Sequence, residues 1–408
     1  MMTHIEGILL NVEVHVQVKS VMYFTHNFIF CCGCKARPKN LQSQRLPLWT
    51  LQAISTTRKM TPPTGAEYLR YLAEEIPPKH DICVWVRPST HQTRRYQDII
   101  NSNTSVSQSL LSNDKATTQN ARMCAIKVIN NLRKICDHPL RMHGRDGCDV
   151  ETILKETAVG EILNGSDKLK VALHLLEGFR KDGLRTLLFS QSTEMLDIIQ
   201  DVLNKKGAFH VARLDGSVSE TKRRLTVELF QNGEFDVFLL STGAGGVGLT
   251  LTRATRVIVF DPSWNPSVDA QAVDRVYRIK QTHEVRVYRL FLAGSVEEKI
   301  YEKQTHKDGI QRTIFTEGSQ GMNRLWDKRE LSKVFAQIPN GSCDLLEKFG
   351  REGIAQVPDI HRHDLVRKHS SVIGISNHAG VYKGKRKGAF KEANTDSKRI
   401  RLAIDLDE

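Results

Sequence analysis

The sequence predicts an α/β fold, a parallel sheet with helices on both faces, preceded by a helical segment and followed by a disordered basic tail. Three observations carry that prediction. Between residue 166 and about residue 305, five short apolar runs alternate with stretches of helical period, and such alternation builds a parallel sheet covered on both sides. Upstream, Ile126, Ile129, Leu132 and Ile135 recur at the spacing of one helix face. Downstream, the chain from His378 is polar and basic, with little to bury.

The elements follow in chain order. Residues 1–60 match no pattern found later. Val12, Val14, Val16 and Val18 alternate with polar residues as in a half-buried strand, and an apolar run with Cys31, Cys32 and Cys34 follows. This segment reads either as a divergent extension or as a translated non-coding stretch of a faulty gene model. Residues 61–150 read as a mostly helical linker region, interrupted early by the strand-like DICVWVRPS. The polar stretch Asn101–Asn120 is a loop or an extended surface helix, and Pro139 ends the last helix.

In residues 151–310 the helix KLKVALHLLEGFRK leads to strand RTLLFSQ, and a helix reaching about Asn204 leads to HVARLDG. Next, SETKRRLTVELFQ leads to VFLLST, a glycine loop to RVIVFDP, and a helix from Pro266 to VRVYRLF. A last helix opens at Ser295, which with Glu298 has the spacing of a capping box. Residues 311–377 form a looser extension and residues 378–408 the basic tail. Ligands of such sheets collect at the carboxyl ends of the strands.

The 408 residues carry a formal net charge of +13, with 40% apolar and 26% charged residues. That balance is globular, and the positive excess favours a polyanionic partner such as nucleic acid. The eight cysteines are scattered. Cys31, Cys32 and Cys34 have no second Cys or His pair at zinc spacing, so no metal site is assigned and reduced intracellular thiols are expected. No run of about 18 apolar residues occurs, which speaks against a membrane span. Glu6, Glu13, His15 and Lys19 interrupt the apolar start, which speaks against a secretory signal.

Two blocks carry chemistry. Ahead of QAVDRVYRIKQ, residues 271–281, Asn265 is a good N-cap and Pro266 a good first helical residue. On the predicted helix Val268, Ala272, Val276 and Ile279 pack inward, while Gln271, Arg275 and Arg278 make one polar stripe. Two guanidiniums a turn apart suit phosphate oxygens; a solvated face with incidental arginines is the plainer alternative. In STGAGGVGLTL, residues 241–251, Gly243, Gly245, Gly246 and Gly248 let the backbone turn sharply and approach a ligand. Ser241 and Thr242 place hydroxyls and amides at the preceding strand end. A tight structural turn explains such a loop equally well, and the dinucleotide fingerprint is not matched.

LRKICDHP, SDKL, LLFSQ, LDGS, FLLSTGAGGVGLTL, DPSWNP and QAVDRVYRIKQ stand in that order within residues 125–305. The ordered set resembles the second RecA-like lobe of Swi/Snf-type ATPases. The resemblance implies a motor that closes two lobes over ATP and moves along duplex DNA by its phosphate backbone. It implies that Arg275 and Arg278 are arginine fingers, with Gln271, Gly246 and Gly248 at the same ATP interface. It implies DNA-backbone contacts from Ser241 and Thr242 and from Ser190 and Gln191 of LLFSQ. Three places depart from the family. Gly243 stands where Arg or Lys is usual, Thr250 where Asn is usual, and Tyr277-Arg278-Ile279-Lys280-Gln281 where His-Arg-Ile-Gly-Gln is usual. Both arginines survive, so the finger role is kept while the coupling of ATP to DNA is open to change. IPPKHDICVWVR and VIGISNHAGVY are similar to the group containing Cockayne syndrome group B protein and the mitotic PICH helicase. That similarity implies transcription-coupled repair or mitotic DNA-bridge processing with chromatin or repair partners; recombination motors and other remodellers are the alternatives.

The phosphate loop Gly-x-x-x-x-Gly-Lys-Ser/Thr does not occur, since the sole Gly-Lys pair, Gly384-Lys385, is followed by Arg386. An Asp-Glu-x-His box does not occur either. ATP and magnesium are therefore expected only with a first lobe outside this chain, which is expected to be inactive alone and a fragment or incomplete gene model of a longer ATPase. One rival reading is a non-catalytic regulator, the lobe alone docking on DNA or on a complete motor. Another is an RNA helicase of the DEAD-box kind, which lacks the DPSWNP block. In the tail, Lys385, Arg386 and Lys387 precede Lys398 and Arg399 at the spacing of a bipartite import signal, which implies a nuclear protein. A solvated or DNA-touching tail fits the same residues.

Overall fold

Strand β1 (Lys79–Val86) shows how this chain builds its core. Ile82, Val84 and Val86 enter one apolar cluster, and Cys83 and Trp85 enter another. Side chains of a strand alternate between faces, so a strand apolar at every position is one buried on both sides. The structure, a computed structural model, describes residues 77–110, 115–145, 150–243, 249–278, 281–307, 334, 335, 339, 341–352, 357 and 363–378.

The chain divides into two compact units, Met1–Pro78 with Tyr277–His283, and Lys79–Val276 with Glu284–Glu408. In the described part of the first, the amide of Gln281 donates to the carbonyl of Arg278 at 3.0 Å, and that of His283 to Oε1 of Gln281 at 3.1 Å.

The second unit begins with β1 and continues through α1 (Thr90–Ser102), α2 (Thr104–Leu110), α3 (Lys115–Asp137) and a 3₁₀ segment (Pro139–Arg145). Then come α4 (Val150–Glu156), α5 (Val159–Gly165), α6 (Asp167–Lys181), β2 (Thr186–Ser190), α7 (Thr193–Lys206) and β3 (Val211–Leu214). The chain goes on to α8 (Glu220–Asn232), β4 (Val237–Ser241), β5 (Arg256–Val259), α9 (Pro266–Val273), β6 (Val285–Leu292) and α10 (Val296–Lys307). Helices α11 (Asp344–Glu352) and α12 (Asp364–Arg367) and strand β7 (Val372–Asn377) complete it. The strands lie in the order β3-β4-β2-β5-β6-β1-β7, and every pair is parallel except β1 with β7. This is the mostly parallel, RecA-like sheet that the sequence predicts, with helices before it.

The five expected strands, β2 to β6, are all present. The strand-like DICVWVRPS contributes its first six residues to a sixth member, β1, which pairs with β6 over the eight residues Lys79–Val86, and β7 closes the edge beyond it. Pairings between positions some two hundred residues apart leave no local trace, so the sheet is wider than its sequence pattern. On one face, α6 and α7 bury Leu169, Leu176, Met195 and Ile199 against Leu188, Leu239, Ile258 and Leu290. On the other, Tyr301 of α10 and Leu345 and Phe349 of α11 pack against Trp85 and Phe291.

Local caps set the boundaries. Ser89 opens α1 with a capping box to Gln92, whose Nε2 also donates to the carbonyls of Ile135 and Cys136 at 3.0 and 2.8 Å, tying α1 to the end of α3. Helix α7 opens on Ser192, whose hydroxyl accepts from the Met195 amide, and stops at Gly207 with φ at 65°, where a residue without Cβ is favoured. The cap of α10 differs from the expected box. The Ser295 hydroxyl accepts from the Glu297 amide at 3.2 Å, but the Glu298 carboxylate takes the amides of Gly294 and Leu345 at 2.7 and 2.8 Å. Glu298 thereby joins α11 to α10 instead of closing back on Ser295.

Candidate functional site

The parallel register brings Ser190 and Ser241 side by side at the carboxyl ends of β2 and β4. The amide of Thr242 donates to the carbonyl of Ser190 at 3.0 Å, so the LLFSQ and STGAGG blocks meet there. Both serines are buried, whereas Gln191 and Thr242 are half-exposed. The Ser190 hydroxyl turns back on its own chain and accepts from the Ser192 amide at 3.1 Å. Gln191 and Thr242 are thus the two of the four that reach solvent.

A third block enters from β5. The amide of Gln191 donates to both carboxylate oxygens of Asp261, at 3.0 and 3.1 Å, and its Nε2 donates to the Asp261 carbonyl at 3.2 Å. Asp261 is 3% exposed. Burial, then the nearby charge of Asp137, pushes its pKa up to about 7, against the pull of Arg141, the Ser190 hydroxyl and Lys168. DPSWNP is held from the other side too, since Arg133 donates to the Pro262 carbonyl at 3.0 Å and lies 5.0 Å over the Trp264 ring.

Beneath these strand ends runs a buried ion network. Lys168 of the SDKL block donates to Asp137 of CDHP at 3.1 Å and to Glu297 of α10 at 2.7 Å. Arg141 pairs with Asp137 in turn, and with Glu194 at 3.4 Å. Burial alone would lower the Lys168 pKa, but Glu297 and Asp137 raise it. Burial raises that of Glu297, against Lys168. Sequence reasoning recognised CDHP and SDKL as blocks but assigned their charges no work, although a charge inside an apolar run was a signal. Nothing local marked Glu297.

Helix α9 begins as predicted, with Asn265 Oδ1 accepting from the Ser267 amide at 3.0 Å and Pro266 in the first turn. It ends at Val273, earlier than expected. Beyond it the amides of Arg275 and Val276 bond three residues back, and the Arg275 carbonyl accepts from the Leu251 amide at 3.1 Å. That bond ties the turn after α9 to the segment after the glycine loop. Gln271 is helical and exposed, Arg275 lies in the following turn, and Arg278 lies in a bend of the first unit, so the continuous helical stripe is not formed. Val276 is buried as expected, and Ile279 lies outside the described residues.

Asp269 anchors α9. Its carboxylate accepts from the Ser263 amide at 2.9 Å and lies 3.7 Å from Arg289 of β6, which itself grips Asp81 of β1 through two bonds of 2.8 and 2.9 Å. Burial raises the Asp269 pKa to about 6, against Arg289. Burial would also raise that of Asp81, but the Arg289 guanidinium holds it down at about 2.

Gly246 and Gly248 lie outside the described residues, as do Lys385, Arg386, Lys387, Lys398 and Arg399. Gly243 is described: among the described residues nothing lies within 4 Å of a Cβ placed there. The Thr250 carbonyl accepts from Gln231 at 2.8 Å. Among the described residues no group of three or more His, Cys, Asp or Glu side chains is arranged to hold a metal ion, and none of their helices is long and apolar enough to cross a membrane.

Residues 167–280 match the family described as helicase conserved C-terminal domain. The DNA excision repair protein ERCC-6-like of Danio rerio is 38% identical over 324 residues, 74% of this chain and 22% of the relative. The DNA repair and recombination protein RAD26 of Saccharomyces cerevisiae is 35% identical over 269 residues, 65% of this chain and 23% of the relative. Among solved structures, the Sulfolobus solfataricus SWI2/SNF2 ATPase core in complex with dsDNA is similar with a TM-score of 0.50 and 28% identity, over 64% of this chain and 50% of that one. The chain spans about a quarter of the length of the curated relatives it matches.

Proposed function

Because this chain carries the C-terminal helicase lobe of a SWI2/SNF2-type ATPase, related to the ERCC-6-like and RAD26 repair proteins, we propose that it is the second half of a motor that moves on duplex DNA. The observation that supports this reading best is the meeting of LLFSQ, STGAGG and DPSWNP at adjacent strand ends, through the Thr242–Ser190 and Gln191–Asp261 bonds. These bonds hold the half-exposed polar side chains of Gln191 and Thr242 at one sheet edge, and polar side chains there suit the sugar–phosphate backbone and carry no base preference. The net charge of +13 acts in the same direction.

In this reading, ATP and magnesium are bound by a nucleotide lobe whose phosphate loop lies outside residues 1–408. When that lobe closes, Arg275 and Arg278 neutralise the charge that builds on the transferring phosphoryl group, worth about 10³ to 10⁵ in rate. Gln271 lines the same interface. The relatives' names speak of excision repair and recombination, and a nuclear role of that kind is proposed for this chain.

The test is ATP turnover by the purified chain, alone and fused to a first lobe from a relative, with and without duplex DNA. DNA-stimulated turnover in the fusion only supports the half-motor. Silence in both, with duplex binding intact, favours a regulator.

A further inference from the structure

Asp261 ends β5, yet its carboxylate serves the end of β2. Both oxygens accept from the Gln191 amide, at 3.0 and 3.1 Å, inside a site that is closed to solvent. Every charged group around it has other work. Asp137 at the end of α3 and Glu297 of α10 share Lys168 of α6. Arg141 of the 3₁₀ segment is divided between Asp137 and Glu194 of α7. The Ser190 hydroxyl of β2 is the remaining polar neighbour. Gln191 Nε2 also donates to the Asp261 carbonyl at 3.2 Å, and the Phe260 amide to the Phe189 carbonyl at 2.9 Å, so the carboxylate is the ionisable member of the set of bonds that seats the Ser190–Gln191 strand end against DPSWNP.

From this geometry we infer that Asp261 is a positioning residue for the DNA-facing strand end, holding Gln191 through its amide and thereby setting the grip on a DNA phosphate. The inference rests on the DNA reading given above. An ionised carboxylate accepts an amide bond more strongly than a neutral carboxyl does. Burial and Asp137 bring that ionisation to about pH 7. The strand end is held tightly above that pH and loosely below it.

The experiment follows the Gln191 amide resonance and duplex affinity of the full chain from about pH 5.5 to about pH 8.5, in the wild type and in Asp261→Asn. Asparagine mimics the neutral carboxyl. The amide should titrate near the Asp261 pKa in the wild type and stay flat in the variant. Affinity of the variant should equal wild type at the acid end and be about three- to tenfold weaker at the alkaline end. A defect that is the same at every pH would mark a merely structural loss and overturn the inference. An amide that does not titrate in the wild type also overturns it. If the amide titrates but the wild type binds no duplex at any pH, the DNA reading itself fails and takes the positioning role with it, while the Asp261–Gln191 coupling stands.

Discussion

Lys168 and Glu297 lie 129 residues apart in the chain and 2.7 Å apart in the lobe. The same ammonium reaches Asp137 at 3.1 Å and faces the Phe260 ring at 5.0 Å, so one buried cation joins the ends of α3, α6 and α10 beneath the strand ends. Desolvating such a group is costly, and a surviving partner left without it is costlier still.

Removing the cation should therefore unfold the lobe readily. Lys168→Met leaves Asp137 and Glu297 facing each other in the interior and should cost about 3–5 kcal/mol. Urea unfolding measures this directly. Adding Asp137→Asn and Glu297→Gln should recover part of the loss; no recovery would mean that the aliphatic stem of Lys168, not its charge, is what the site needs.

The anchor of α9 predicts a pH dependence. Folding raises the Asp269 pKa from 3.8 to about 6, so its stabilising contribution is complete below the lower value and is lost as pH rises through the upper. Asp269→Asn keeps an acceptor for the Ser263 amide but does not ionise. Between about pH 5 and about pH 7 the wild type should lose about 1 kcal/mol relative to the variant. Parallel stability curves would place the ionisation of Asp269 elsewhere.

The finger arginines predict a split between chemistry and binding. In a reconstituted two-lobe enzyme, Arg278→Ala should lower DNA-stimulated ATP turnover by about 10³ or more and leave duplex affinity within about twofold. Equal loss of both would make Arg278 a structural residue.

Close packing predicts the last effect. A Cβ on Gly165 would stand 2.7 Å from the His138 ring, which is fixed by a 2.8 Å bond to the Ile162 carbonyl and by the Leu140 amide at 3.1 Å. Moving the ring aside would break bonds at both its nitrogens, and Gly165→Ala should cost about 1–3 kcal/mol. The comparison in thermal unfolding is Gly160→Ala, where a Cβ meets nothing within 4 Å and little change is expected.

Much of the lobe is legible in the sequence. Strands β2 to β6 and the helices between them declare themselves by local period, and Asn265–Pro266 starts α9 where a good cap and a good first residue coincide. Period is a property of neighbours in the chain, so it says which residues form an element and not which element lies beside it. That is why DICVWVRPS was readable as a strand but not as the partner of β6, and why Glu298 was readable as a cap residue but not as the acceptor for Leu345.

The candidate site divides along the same line. That Ser190, Gln191, Ser241 and Thr242 stand at strand ends can be read along the chain, because an apolar run followed by a polar turn is a local pattern. That Ser190 and Ser241 are neighbours, that Asp261 holds Gln191, and that the Arg275 carbonyl bonds Leu251 is visible only in the folded lobe. Each of these relationships is made by hydrogen bonds from backbone amides that join residues distant in sequence. Such bonds form where parallel strands end level with one another and burial leaves their polar groups no water to bind.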